Sequence, residues 1–405
     1  MNHGYSFYKP SSDEDYTQLY RVMDTAFKDE DVASIVRNFV ENYPEMTGDN
    51  YFMIKHDNEA VAGLLLIPQT WCIGGVEFKV AEMGCVGTAP MHRQRGLQRI
   101  LNARYDEYAK ESGYDLCVLA GIPYFYREFG YQYAVELDYL TEIKIRKIPD
   151  GPRLETRQFS EDDIEQAMSL LESTQKRYMV HSNRTKTIWK TQLKTGIYGA
   201  EPFKSIAVFE DSRLISYYRY QYLEEEKTYV IRELAQVTPQ YVPRVAATIK
   251  IKAEELGADK IKTKLSHTDH FSQYLKKLGA KMNTPYAWQV KILNPVNFLR
   301  KLGPVLENRL EGSKFKGLSK VLKFNFWKYG ISLSFEDGKL LDVKETTEAS
   351  RNIGLNPYAS IQLFMGYRSR VDLQYAYQDF IIRDEYEELI DVLFPRKPGY
   401  IHYCY

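Results

Sequence analysis

The residue pattern of the first 145 positions restarts after residue 152, and this repeat limits what the chain can fold into more than any other feature. A strand at Tyr5–Tyr8 is followed by helical patterns over Asp13–Phe27 and Asp31–Glu41. Strand-like runs come next, at Tyr51–His56, Ala60–Thr70 and Gly75–Val86. An amphipathic helix over Leu97–Ser112 stops at Gly113, the residue type that most readily ends a helix in the left-handed conformation. Leu116–Ala120 reads as a short buried strand, Pro123–Phe129 as a short helix and Tyr139–Ile145 as an alternating strand. The turn-rich stretch Lys147–Pro152 marks a boundary.

Beyond it, Ser160 and Asp163 resemble a capping box opening a helix that runs to Tyr178. Strands are expected at Ser205–Phe209, Leu214–Tyr220 and Tyr229–Gln236. A helix over Pro239–Glu255, a strand at Lys260–Leu265 and a helix over His270–Leu278 follow. Gly113-Tyr114-Asp115 after the first long helix matches Gly257-Ala258-Asp259 after the second, and Phe129-Gly130 matches Leu278-Gly279. Two copies of one mixed α/β unit explain these parallels. From Leu293 the pattern changes. A helix over Pro295–Leu310 and a hairpin turning at Glu336-Asp337-Gly338 precede helical segments at Pro357–Leu363 and Asp384–Leu393 and an extended tail, Pro395–Tyr405.

Composition narrows the function. At 405 residues the chain exceeds one ordinary core, so two to three domains are expected. Lys and Arg number 54 and Asp and Glu number 54, a balance that speaks against a nucleic-acid partner. No apolar run, Leu64–Ile67 included, comes near the length needed to span a membrane. Met1–Tyr5 has neither the basic nor the apolar region of a secretory leader. Cys72, Cys85, Cys117 and Cys404 are scattered with no metal-ligand spacing. The expectation is a cytoplasmic, enzyme-sized protein with no metal, no nucleic-acid partner and no membrane partner.

Val80–Thr88 is a strand running into Ala89-Pro90-Met91-His92-Arg93-Gln94-Arg95-Gly96-Leu97-Gln98. A strand, a tight loop with arginines and a glycine, and then a helix start is how backbone N–H groups are aimed at a pyrophosphate. A solvated basic turn fits the same residues equally well. Arg93 and Arg95 are read either as phosphate contacts or as surface charges.

Arg93-x-x-Gly96-x-Gln98 resembles the R/Q-x-x-G-x-G/A signature of the GNAT acetyltransferases, with Gln98 departing from the small residue at the last position. Ala89–Leu97 and Tyr126-Arg127-Glu128-Phe129-Gly130-Tyr131 together resemble the Eis ("enhanced intracellular survival") family of bacterial acetyltransferases. That resemblance implies an α/β (α+β) chain of tandem GNAT-like mixed-sheet domains followed by a sterol-carrier-protein-like α+β domain. Residues 1–148 would be the catalytic domain, 149–292 a degenerate copy and 293–405 the C-terminal domain. It implies acetyl-CoA as co-substrate, a primary amine as acceptor (aminoglycoside-like, polyamine or peptidic) and a hexamer. Val86, Gly87 and Thr88 would pair with the pantetheine arm, while Gln94, Arg95, Gly96, Leu97, Gln98 and Arg99 would wrap the pyrophosphate. Gly121 and Ile122 would add backbone contacts. The second copy has no arginine–glycine loop, so one cofactor site is expected.

Amine acetylation needs a neutral amine and a proton for the departing thiolate. By the same resemblance Tyr126 is the general acid and the α-carboxylate of Tyr405 the base. A packed aromatic is the competing reading of Tyr126, and a tail packed for stability that of Tyr405. Glu82 and Glu128 are the runner-up bases, Glu82 fitting a structural acid better, and His402 is a further candidate. Asp29, Glu30 and Asp31 fit an acidic pocket mouth or, better, a solvated loop. Two other functions compete: a binder of lipid or another apolar ligand through the C-terminal domain, and a non-catalytic acetyl-CoA sensor.

Overall fold

The computed structural model describes residues 4–137, 139–235, 237–348 and 352–405. Met1–His3, and Gln236 at the end of the expected strand Tyr229–Gln236, lie outside the described residues. The chain divides into two compact units, one of residues 1–135 and 288–399 and the other of 136–287 and 400–405.

The first unit begins β1 (Tyr5–Tyr8), α1 (Asp13–Ala26), α2 (Val32–Asn42), β2 (Tyr51–His56), β3 (Glu59–Ile73), β4 (Val76–Thr88), α3 (Leu97–Glu111) and β5 (Leu116–Leu119). Ser12 and Asp15 form a capping box at the start of α1, and the Asp31 side chain caps α2 by accepting from the Ser34 N–H. Within one mixed sheet the order is β1-β2-β3-β4-β5, followed by Tyr286–Ile292 and Gln132–Leu137. β1 to β4 pair antiparallel, whereas β4 and β5 are parallel and joined through α3, as a parallel pair requires a crossover. Leu64, Leu66, Ala81, Met83, Leu101, Tyr105 and Cys117 form the core between this sheet and α3. Their burial supplies the main driving force for docking the helix.

The C-terminal part of this unit is a second sheet flanked by helices. Lys320–Asn325, Gly330–Glu336 and Lys339–Thr346 form its antiparallel meander, with Asp337 and Gly338 both at positive φ in the tight turn. The expected helix Pro295–Leu310 is two helices, Pro295–Lys301 and Gly303–Glu311, because Pro304 deprives the helix of an N–H where it would be needed. This part packs on the first sheet through Phe298 against Phe78, ring centres 5.2 Å apart, and a Lys301–Asp115 ion pair at 2.6 Å.

The second unit repeats the order of elements. Glu155–Gln158 leads to helices Ile164–Gln175 and Lys186–Thr195, then to strands Lys204–Glu210, Arg213–Leu223 and Thr228–Leu234. Helix Val242–Glu255 and strand Lys260–Thr263 complete it. The pairing is antiparallel until the last two strands, which are parallel. Thr141–Lys144 adds to this sheet on the far side of Lys260–Thr263.

Candidate functional site

The site is built where β4 leaves its neighbours. Parallel pairing between β4 and β5 covers only Val80, Ala81 and Glu82, opposite Leu116, Cys117 and Val118. Past Glu82 the β5-side edge of β4 opens. On its other side β4 stays paired to β3, but the register slips between Gly63↔Gly87 and Leu65↔Gly84, so β4 carries a bulge at Cys85–Val86. Cys85 takes a φ of 48°, which bends the strand away from the sheet. Gly87 is glycine because α1 lies against it: a Cβ there would stand 3.0 Å from Met23 Sδ and 3.2 Å from Ala26 Cβ.

The loop after β4 then reverses twice, with φ of 61° at Gln94 and 75° at Gly96, before α3 begins. No described side chain caps α3, so the N–H groups of its first turn point outward with the positive end of the helix dipole. Arg93 serves this loop structurally. Its Nε donates to Thr88 O at 3.2 Å and its Nη2 to Ala26 O at 3.2 Å, tying the ends of β4 and α1 together.

These elements enclose a cavity of about 550 Å3. Val86, Gly87, Thr88, Gln94, Arg95, Gly96, Leu97, Gln98, Arg99, Ile122 and Tyr126 all line it. Sequence reasoning missed Ala26, Phe27, His92 and Phe125, which line it too. The close packing of α1 on Gly87 is what brings Ala26 and Phe27 there, and no local motif signals it. Gly121 lies beneath Tyr126, where a Cβ would stand 2.5 Å from Tyr126 Cε2 and 2.6 Å from Leu119 Cδ1.

Tyr126 sits in a 3-10 turn, Phe125–Phe129, and is 7% exposed. Burial pushes its phenol up to about 12, which keeps the proton on it throughout the neutral range. Glu82 is buried and accepts a hydrogen bond from Gln69 Nε2, whose Oε1 in turn accepts from Trp71 Nε1 at 2.8 Å. It is held in a buried hydrogen-bond chain. Glu128 pairs with Arg99 at 2.7 Å. Asp31 caps α2, while Asp29 and Glu30 are exposed.

Tyr405 belongs to the second unit. Its main-chain oxygen accepts from the Gly199 N–H at 2.6 Å and from Gln192 Nε2 at 3.0 Å. Arg184 Nε donates to Tyr403 O at 3.1 Å, and Ser182 Oγ to His402 O. Behind these contacts lies a buried charge cluster. Arg184 pairs with Glu233 at 2.6 Å, Tyr217 OH donates to Glu233 at 2.8 Å, and Arg219 Nη1 donates to Gln192 Oε1 at 2.7 Å. Tyr405 lines a cavity of about 160 Å3 with Tyr139, Tyr198, Tyr400, Tyr403, Glu136, Glu201 and Arg232. His402 is buried, and burial drives its imidazole down to about 3, so it is neutral and a poor base.

In the second unit the helix Val242–Glu255 starts without a positive-φ glycine. Pro239 and Pro243 stand at its entrance, and neither has an N–H to offer an anion. Among the described residues no group of three His, Cys, Asp or Glu side chains is placed to hold a metal ion, and no helix is long and apolar enough to cross a membrane.

A family model described as an acetyltransferase (GNAT) domain matches residues 8–134. No curated protein sequence matches the chain. Among solved structures, it is similar to a conserved protein of unknown function from Enterococcus faecalis V583 described as a probable N-acyltransferase. The identity is 16%, with 99% of each chain covered and a TM-score of 0.78. A GCN5-related N-acetyltransferase from Anabaena variabilis ATCC 29413 is 17% identical, covering 98% of this chain and 99% of that one, with a TM-score of 0.75. Eis1 from Mycobacterium abscessus is 15% identical over 97% of this chain and 98% of its own, with a TM-score of 0.62. At these identities the likeness is one of fold.

Proposed function

We propose, from the premise that the chain is a GNAT-family N-acetyltransferase, that it transfers the acetyl group of acetyl-CoA to a primary amine by direct attack on the thioester. The observation that carries this reading is that the opened edge of β4, the start of α3 and Tyr126 share one cavity. The N–H groups from Gln94 to Arg99 receive the pyrophosphate, and the β4 edge from Val86 to Thr88 receives the amide-bearing pantetheine arm. Gly121 and Ile122 complete the binding through their backbone.

The neutral amine attacks the thioester carbonyl carbon, the C–S bond breaks as the tetrahedral intermediate collapses, and the Tyr126 phenol gives its proton to the departing sulfur. The raised affinity of the phenol for its proton delays that transfer until negative charge has built up on sulfur. The α-carboxylate of Tyr405 is proposed to take the proton that the amine loses. An Eis-like organisation accompanies the proposal: residues 1–148 catalytic, 149–292 a degenerate GNAT-like copy, 293–405 sterol-carrier-protein-like, and the whole a hexamer. The acceptor is a primary amine of the aminoglycoside, polyamine or peptidic kind.

The test is release of free thiol from acetyl-CoA across a panel of such amines. Amine-dependent release is expected, and its absence with every amine refutes the transfer. Extending the chain by one glycine after Tyr405 moves the carboxylate. A steep fall in turnover with acetyl-CoA binding retained is expected, and full activity would remove Tyr405 from the mechanism. Light scattering on the eluting protein checks the hexamer.

A further inference from the structure

Gln98 is the second residue of α3 and lines the cavity half-buried. Its Nε2 donates to Gly87 O at 3.1 Å and to Thr88 Oγ1 at 2.8 Å. A carbonyl oxygen only accepts, so Gly87 O fixes which way round the amide lies: nitrogen toward β4, oxygen away from it. Both amide hydrogens are thereby used. Among the described residues none donates to the Gln98 Oε1, which is left as an open acceptor on a cavity-lining side chain.

The β5-side edge of β4 opens past Glu82, as edge strands do where an extended chain is to be added. Yet one acceptor near its end, Gly87 O, is already covered by Gln98. An incoming amide chain therefore meets a side chain where the bare backbone would have been. For Gln98 to withdraw, two hydrogen bonds would have to break and a half-buried amide would need new partners, which opposes binding. For it to stay costs nothing, because its own oxygen can replace the acceptor it covers.

We propose that Gln98 stays in place and that its Oε1 accepts an amide N–H of the pantetheine arm, carrying the acceptor line of β4 outward by one side chain. This rests on the acetyl-CoA reading above. A glycine or alanine at this position would leave Gly87 O bare and could not make the contact. The departure of this chain from the small-residue signature is thus a change in how the arm is held.

Calorimetric titration with two ligands tests the assignment: acetyl-CoA, and adenosine 3′,5′-bisphosphate, which has the nucleotide end without the arm. Gln98→Met keeps the length of the side chain over Gly87 O but offers no acceptor. It is expected to weaken acetyl-CoA by about fivefold, the worth of one hydrogen bond, and to leave the bisphosphate unchanged. Gln98→Ala bares Gly87 O, which can accept in place of the side chain, and is expected to bind acetyl-CoA more tightly than Gln98→Met. The proposal is overturned if Gln98→Met binds acetyl-CoA as tightly as wild type or more tightly, which would make the side chain's polar atoms immaterial to the arm. It is also overturned if both ligands weaken equally, which would make the role one of shaping the helix start. Wild-type protein that binds neither ligand refutes the acetyl-CoA reading itself, an outcome distinct from both.

Discussion

Gly121 and Tyr126 are in such close contact that a single methyl group at position 121 would stand 2.5 Å from Cε2 and 2.9 Å from Cδ2 of the ring. An aromatic ring boxed in by Phe125, Phe129 and Tyr131 has no easy way to give. Gly121→Ala is therefore expected to shift the phenol and lower kcat by roughly 10²-fold, the scale of an ångström-sized misplacement of a reacting group. The affinity for acetyl-CoA should change little. Steady-state kinetics beside calorimetric titration will separate the two; unchanged kcat would show that the ring's placement is immaterial.

Tyr126→Phe removes the proton and keeps the ring. Turnover is expected to fall by about 10²- to 10⁴-fold, the range for loss of a general acid. Because burial holds the phenol up near 12, the wild-type rate should show no basic limb from this group below about pH 11. Folding stability depends on the same phenol. With a folded value above the unfolded one of about 10, the group's contribution is whole below pH 10 and lost between about 10 and 12. A variant that turns over as fast as wild type would argue against the acid role.

Among the described residues Glu233 is the sole carboxylate in direct contact with Arg184 and Arg219, and all three side chains are buried. Glu233→Gln leaves two guanidinium groups without their counter-charge and should destabilise the protein by about 3–5 kcal/mol. Its arginine neighbours hold the Glu233 carboxyl below the usual glutamate range despite burial. Its contribution is thus present above about pH 4 and lost as pH falls below that. Urea denaturation at pH 7 and at about pH 2.5 checks both statements. A variant as stable as wild type at pH 7 would contradict them.

Gly96 has a φ of 75°, and a Cβ there would meet nothing within 4 Å. The cost of Gly96→Ala is then conformational alone, about 1 kcal/mol. Since the strain falls on the turn that aims the first N–H groups of α3, acetyl-CoA affinity should drop with it. Thermal melts with and without acetyl-CoA will show whether the ligand-induced rise in Tm shrinks, as expected, or stays.

Local chemistry made much of this fold legible. Tyr51–His56 and Asp384–Leu393 begin and end where alternation and helical spacing put them, and Gly113, Gly257 and Gly279 adopt positive φ at helix ends. The capping box at Ser160 forms, although the helix proper starts only at Ile164, after a 3-10 turn. What the pattern hid depends on long-range pairing. Gln132–Leu137 is a strand that no local signal separates from a loop. Helix Lys186–Thr195, capped by Thr185 and ended by Gly196, went unread because its threonines weaken the helical pattern. At the site, the loop and helix start were readable from Arg93 to Gln98. The tie of Arg93 to Ala26, the cover of Gln98 over Gly87 and the space Gly121 leaves for Tyr126 arise only when distant segments meet.

The two prolines at the entrance of helix Val242–Glu255 keep any single substitution from turning it into an anion site. Grafting the arginine–glycine turn onto that helix would supply charge and backbone freedom, yet the hydrogens an anion needs would still be missing at Pro239 and Pro243. Such a site requires several substitutions, none useful without the others.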